Sequence, residues 1–82
     1  MGAPLSVGIV GAGLMGHGIA QVFAAAGHQV RVYDPSAESL ASLHTRIEAN
    51  LTALGQDPAA AQQVAACPSL AEAVGNADLV IE

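Results

Sequence analysis

The run Val7-Gly8-Ile9-Val10-Gly11-Ala12-Gly13-Leu14-Met15-Gly16 limits what this 82-residue chain can fold into more than any other stretch. Val7 to Val10 read as a short buried strand. Gly11, Gly13 and Gly16 follow at Gly-x-Gly-x-x-Gly spacing, and an alanine-rich amphipathic pattern begins at Leu14. Each glycine meets a separate need of a tight strand-to-helix turn. Gly11 lets the chain turn sharply out of the strand, and Gly13 leaves the backbone bare of a Cβ. Gly16 lets the new helix pack close to the strand it has just left. The first N–H groups of that helix have no internal partners, and its dipole adds partial positive charge there.

Glycines at this spacing also punctuate ordinary turns, so the surroundings have to decide. Val30, Val32 and Tyr33 mark a second strand that ends at Asp34, 18 residues beyond Gly16. A carboxylate in that place hydrogen-bonds an adenosine ribose, while a helix N-terminus takes the pyrophosphate. Together these point to a dinucleotide site built from Gly11, Ala12, Gly13, Leu14, Met15, Gly16 and Asp34. A carboxylate welcomes a ribose 2′-hydroxyl and repels a 2′-phosphate. Pro35, Ser36 and Ala37 come next and bring no cation. The expected cofactor is therefore NAD rather than NADP. Asp34 also has a plainer reading, as a cap for the following helix with Pro35 at its first position.

The first helix is expected from about Leu14 to Ala26, with Met15, Ile19 and Phe23 as the stripe facing the sheet. Gly27 should end it as a left-handed cap. His28 reads as a surface residue near the helix C-terminal dipole, and His17 as a solvated first-turn residue that lies close to the phosphate end. The second helix should span Ser36 to Leu54, with Leu40, Leu43, Ile47, Leu51 and Leu54 on one apolar face and Gly55 as its stop. Asp57-Pro58 then opens a short helix through Gln63. Val64 to Cys67 is a third strand, with Cys67 a small core residue. Ser69 and Glu72 form a capping box for a short helix ending at Gly75, and Leu79, Val80 and Ile81 make a buried parallel strand.

The expected fold class is α/β, a Rossmann-type parallel sheet with flanking helices. Right-handed crossovers give its strands the order 3-2-1-4, with the ligand-binding switch point between the first and fourth. Such folds run to two βαβαβ halves, and residues 1–82 supply about four strands. The chain therefore reads as the N-terminal part of an NAD(P)-binding domain whose remainder lies elsewhere.

The formal charge is −5, Arg31 and Arg46 are the only strong cations, and there is no lysine. Nucleic-acid or anionic-membrane binding is not expected. Met1 to Ser6 carries no basic residue before the first strand, unlike a signal peptide, and no apolar run is long enough for a span. The single cysteine, Cys67, forms no internal disulfide, which fits a reducing cytoplasm. Three separated histidines and one cysteine do not reach zinc spacing, and neither Ser6 nor Ser69 sits in a nucleophile elbow. No general base stands out, so no catalytic residue is assigned within the chain.

The opening Val-Gly-Ile-Val-Gly-Ala-Gly-Leu-Met-Gly-His-Gly-Ile-Ala-Gln closely resembles the NAD-binding start of the 3-hydroxyacyl-CoA dehydrogenases. So do Gly27-His28-Gln29-Val30, the Tyr33-Asp34 ending and Ala77-Asp78-Leu79-Val80-Ile81-Glu82. The resemblance implies a two-domain enzyme of fatty acid metabolism that uses NAD to oxidise a 3-hydroxyacyl-CoA to the 3-ketoacyl-CoA. It implies an acyl-CoA substrate and a homodimer formed through a helical C-terminal domain. Gly11 to Gly16 match the family's phosphate loop and Asp34 its ribose acid. Glu82 matches the first acid of the family's Glu-Ala-x-x-Glu segment. The family's catalytic His–Glu pair lies beyond these residues, so the 82-residue piece alone is expected to be inactive. One departure stands out: in family members the end of the second helix and the hairpin after it are often lysine-bearing and touch coenzyme A. Here they have no lysine, with Asn50 near the place of a small polar contact. A related hydroxyacid dehydrogenase without CoA, or a non-catalytic NAD-sensing module, would share the same opening.

Overall fold

The computed structural model describes residues 4–82, without the side chains of Leu14 and Met15. Its elements run β1 Ser6–Val10, α1 Leu14–Ala25, β2 Gln29–Tyr33, α2 Ala37–Ala53, a 3-10 helix Pro58–Gln63, β3 Val64–Cys67, α3 Leu70–Val74 and β4 Leu79–Ile81. The four strands form one parallel sheet in the order β3-β2-β1-β4, as the crossover rule requires.

Register places Val7 beside Val30, and Val30 beside Val64, so these side chains share a face. With Ile9 and Val32 they form the floor of the core, roofed by Ala20 and Ala24 of α1 and by Leu43, Ile47 and Leu51 of α2. A large aliphatic side chain buried this completely contributes about 1.5–3 kcal/mol. The opposite face carries Gly8, and α3 lies against it. A Cβ on Gly8 would stand 2.5 Å from the Ala73 carbonyl oxygen, so the missing side chain is what lets α3 come so close.

Several helix ends match their sequence signals. Gly27 and Gly55 adopt left-handed φ values of 91° and 74° after α1 and α2. Asp57 caps the 3-10 helix by accepting from the Ala59 amide, and Ser69 caps α3 by accepting from the Glu72 amide. Only this half of the capping box forms among the described residues, because Glu72 returns no bond to Ser69.

Other expectations need correction. The N-cap of α2 is Ser36, whose hydroxyl accepts from Ser39 N–H, so Pro35 precedes the helix rather than opening it. Leu54 is 65% exposed because α2 ends at Ala53, and the chain turns before Leu54 can follow the apolar face inward. β4 pairs with β1 as expected, yet Leu79 and Val80 are 41% and 46% exposed. Among the described residues it lies at the edge of the sheet, covered on neither side as fully as β1. On α1 the deepest face is His17, Ala20, Gln21 and Ala24, while Ile19 and Phe23 pack only partly against the core. Ala20 and Ala24 are the α1 residues in the hydrophobic cluster itself, with His17 and Gln21 buried beside them. Met15, the third member of the expected stripe, lies outside the described side chains.

Candidate functional site

The glycine loop lies between the carboxyl end of β1 and the start of α1, beside the end of β4. Gly11 has φ 113°, a value open to glycine at little cost, and its N–H donates to the Tyr33 carbonyl at 2.7 Å. Gly16 is closer still to its neighbour: a Cβ there would fall 1.8 Å from the Gly11 carbonyl oxygen. Helix and strand can therefore meet only if position 16 is glycine. Around Gly13 the geometry is the reverse, because a Cβ would meet nothing within 4 Å. Its bareness keeps space open in front of the loop rather than relieving a clash within it.

That space continues as a cleft of about 240 Å³, lined by Gly11, Gly13, Gly16, Ile19, Ile81 and Glu82 among others. It sits at the switch point between β1 and β4, where ligands of open parallel sheets bind. Gly13 is the N-cap of α1 and offers no side-chain cap. Among the described residues none accepts from its N–H, and the first helical amides are without internal partners. Ala12 is fully buried beneath the loop. Leu14 and Met15 contribute their backbone at the helix start, while their side chains lie outside the described set.

Asp34 reaches this loop directly. Its carboxylate accepts the Ala12 N–H at 2.8 Å and the Ser36 N–H at 2.7 Å. These bonds, led by that from Ala12 and helped by the charge of Arg46, hold its pKa below the usual carboxylate value against the opposing effect of burial. Each oxygen keeps a further lone pair for another donor. Asp34 is thus bonded to the loop, and it also steadies the approach to α2 through Ser36 rather than through Pro35.

Arg46, to which sequence reasoning gave no role, belongs to the same constellation. Its guanidinium donates from Nη2 to the Ala12 and Ser39 carbonyls, each at 2.9 Å, and from Nε to Ser42 Oγ at 3.1 Å. The signal was present but faint: Ser39, Ser42 and Arg46 are spaced to share one side of α2. His17 was misread as solvated. It is only 7% exposed, with Nδ1 at 2.9 Å from the Gly13 carbonyl and 3.1 Å from Arg46 Nη1. His28 is likewise tied down, its Nδ1 accepting from Leu5 N–H and its ring tilted against Phe23. Among the described residues, no group of His, Cys, Asp and Glu is placed to hold a metal ion.

An open parallel sheet, a glycine turn at its switch point and an acid closing β2 define a Rossmann dinucleotide-binding unit. Comparison narrows the class. The model of the NAD-binding domain of 3-hydroxyacyl-CoA dehydrogenase matches residues 6–82, and the chain belongs to that family. NAD is accordingly its cofactor. A 3-hydroxyadipyl-CoA dehydrogenase of Escherichia coli K12 is 45% identical over 51 residues, covering 57% of this chain and 11% of that one. The structure of 3-hydroxybutyryl-CoA dehydrogenase from the same species superposes with a TM-score of 0.77 at 34% identity, over 98% of this chain and 18% of that one. A diketoreductase studied with dicarbonyl compounds gives a TM-score of 0.76 at 31% identity, over 98% and 31%. The chain therefore spans about a third or less of each of these relatives. Among the described residues, no helix is long and apolar enough to cross a membrane.

Proposed function

We propose that these residues are the cofactor-holding part of a cytoplasmic, homodimeric dehydrogenase that oxidises 3-hydroxyacyl-CoA substrates with NAD. Gly11, Ala12, Gly13, Leu14, Met15 and Gly16 hold the diphosphate through backbone amides at the start of α1, and Asp34 takes the adenosine ribose. The observation that carries the reading is the Gly13 position beside the cleft, where a Cβ would meet nothing within 4 Å and where the N–H has no acceptor among the described residues. A larger side chain there would fill the place where a diphosphate has to lie. NAD, when bound, supplies the hydride acceptor. The protein's part here is to bind and orient it. Asp34 keeps its charge through the Ala12 and Ser36 amides, and its free lone pairs suit ribose hydroxyls. Arg46 is already committed to two carbonyls and Ser42, so it leaves no free fork for a 2′-phosphate. Proton removal from the alcohol falls to a base outside these residues.

A second reading keeps NAD and replaces the substrate with a hydroxyacid or dicarbonyl compound lacking CoA. It is favoured by the absence of lysine after α2, and by the 31% identity to a diketoreductase. Calorimetric titration of the full-length protein with NADH, with and without acetoacetyl-CoA, separates the readings. Binding followed by NADH oxidation on addition of the CoA ester supports the first. Binding without turnover supports the second or a sensing role, and no binding returns the loop to plain architecture.

A further inference from the structure

The glycine loop is held from beneath by a side chain 34 residues further along the chain, and that grip has a direction. Arg46 Nη2 donates to the Ala12 carbonyl at 2.9 Å, while Ser39 O and Ser42 Oγ on its own helix fix the guanidinium in place. In a trans peptide the carbonyl and the next residue's N–H point in opposite directions, and no described peptide bond is cis. Drawing the Ala12 oxygen toward α2 therefore turns the Gly13 N–H away from α2. That N–H has no acceptor among the described residues, and Gly13 borders the cleft. The peptide is fixed at both ends of its neighbourhood, since Asp34 takes the Ala12 N–H just before it. His17 adds a packed wall. Its Nδ1 faces both the Gly13 carbonyl and Arg46 Nη1, and one ring nitrogen cannot donate to the first while accepting from the second. The hold on Ala12 therefore rests on Nη2.

We propose that Arg46 is a positioning residue for the diphosphate site: it sets the orientation of the Ala12–Gly13 peptide and so aims the Gly13 N–H at the cofactor. The inference rests on reading the loop as the NAD diphosphate site. A bond from a cation to the carbonyl also polarises the peptide, which makes its N–H a stronger donor. Lysine would keep the charge near Asp34 but lacks the planar fork that reaches Ala12 and Ser39 together.

The test uses the full-length protein as wild type, Arg46→Lys and Arg46→Met, titrated with NADH, with the ³¹P resonances of the bound diphosphate recorded at saturation. The wild type binds NADH. Arg46→Met is expected to weaken binding on the order of tenfold and Arg46→Lys by less, both with displaced ³¹P resonances. If Arg46→Met does not fold, Arg46→Lys decides by the same two readouts. Affinities within twofold of wild type, or weakened binding with unmoved ³¹P resonances, overturn the positioning role. Failure of the wild type itself to bind NADH marks the failure of the loop reading instead.

Discussion

The Asp34 carboxylate accepts the Ala12 amide across 22 residues of sequence, so the acid that ends β2 is bonded to the middle of the glycine turn that ends β1. This bond makes the two halves of the dinucleotide signature one object. In the full-length protein, Asp34→Ala should weaken NAD binding by about 1–3 kcal/mol and relieve part of the discrimination against NADP, as read by calorimetric titration with both cofactors. Unchanged affinity and unchanged preference would remove Asp34 from the site.

The same carboxylate carries a pH dependence with a definite sign. Its pKa is lowered in the folded chain from 3.8, chiefly by the Ala12 and Ser36 amides. The stability it contributes is present above that unfolded value and is lost as pH falls through the lower folded one. In an acid titration followed by NMR, the Ala12 and Ser36 amide resonances should therefore move together, with a midpoint below 3.8. A midpoint at or above it contradicts the bonding described.

Gly13 and Gly16 separate binding from folding. Gly16→Ala sets a Cβ 1.8 Å from the Gly11 carbonyl oxygen, and backbone cannot yield cheaply. It should cost at least about 1–3 kcal/mol in urea denaturation and disturb the loop. Gly13→Val meets no atom within 4 Å at its Cβ, so its unfolding midpoint should fall only by the loss of a glycine N-cap, about 1 kcal/mol, while NADH affinity falls. Normal NADH binding by that variant would refute the loop assignment.

Gly8 offers a control away from the cleft. Its Cβ would stand 2.5 Å from the Ala73 carbonyl oxygen, so Gly8→Ala should push α3 off the sheet and lower stability by about 1–3 kcal/mol. At temperatures where the variant remains folded, its NADH affinity should match wild type.

Cys67 should be a slow thiol. Burial, then the nearby Glu72, raises its pKa, outweighing Arg31 and a backbone bond from Val32. Iodoacetamide at neutral pH should label it only on unfolding, so the labelling rate should rise along the denaturation curve. Rapid labelling of the native protein would mean that β3 is open.

The strand order was legible because right-handed crossovers fix it. Nearly every element boundary was legible because it follows from local signals: glycine stops, Ser and Asp caps, and apolar periods of four residues. The loop and Asp34 were legible for the same reason, since their spacing is fixed by one βαβ unit. Arg46 was not, because its partner Ala12 is far off in sequence and nothing in the pattern of α2 says which way a single cation turns. His17 was misread because a first-turn position on an isolated helix looks solvated, and only the packing of α2 over it closes that side. Leu54, Leu79 and Val80 erred oppositely: apolar character marks what can be buried, while exposure depends on what covers it.

The placement of β1 between β2 and β4 also governs the order in which the sheet can assemble. Ser6 exchanges bonds with Asp78, its N–H donating to the carboxylate at 2.8 Å and its carbonyl accepting the Asp78 amide at 2.7 Å. A chain leaving the ribosome can close β1, α1 and β2 as a local unit, yet β1 keeps one side open until residues more than seventy positions later arrive. Pairing over such separations is slow. Through that interval the exposed backbone of β1 is the part of the nascent chain most open to pairing with a neighbour.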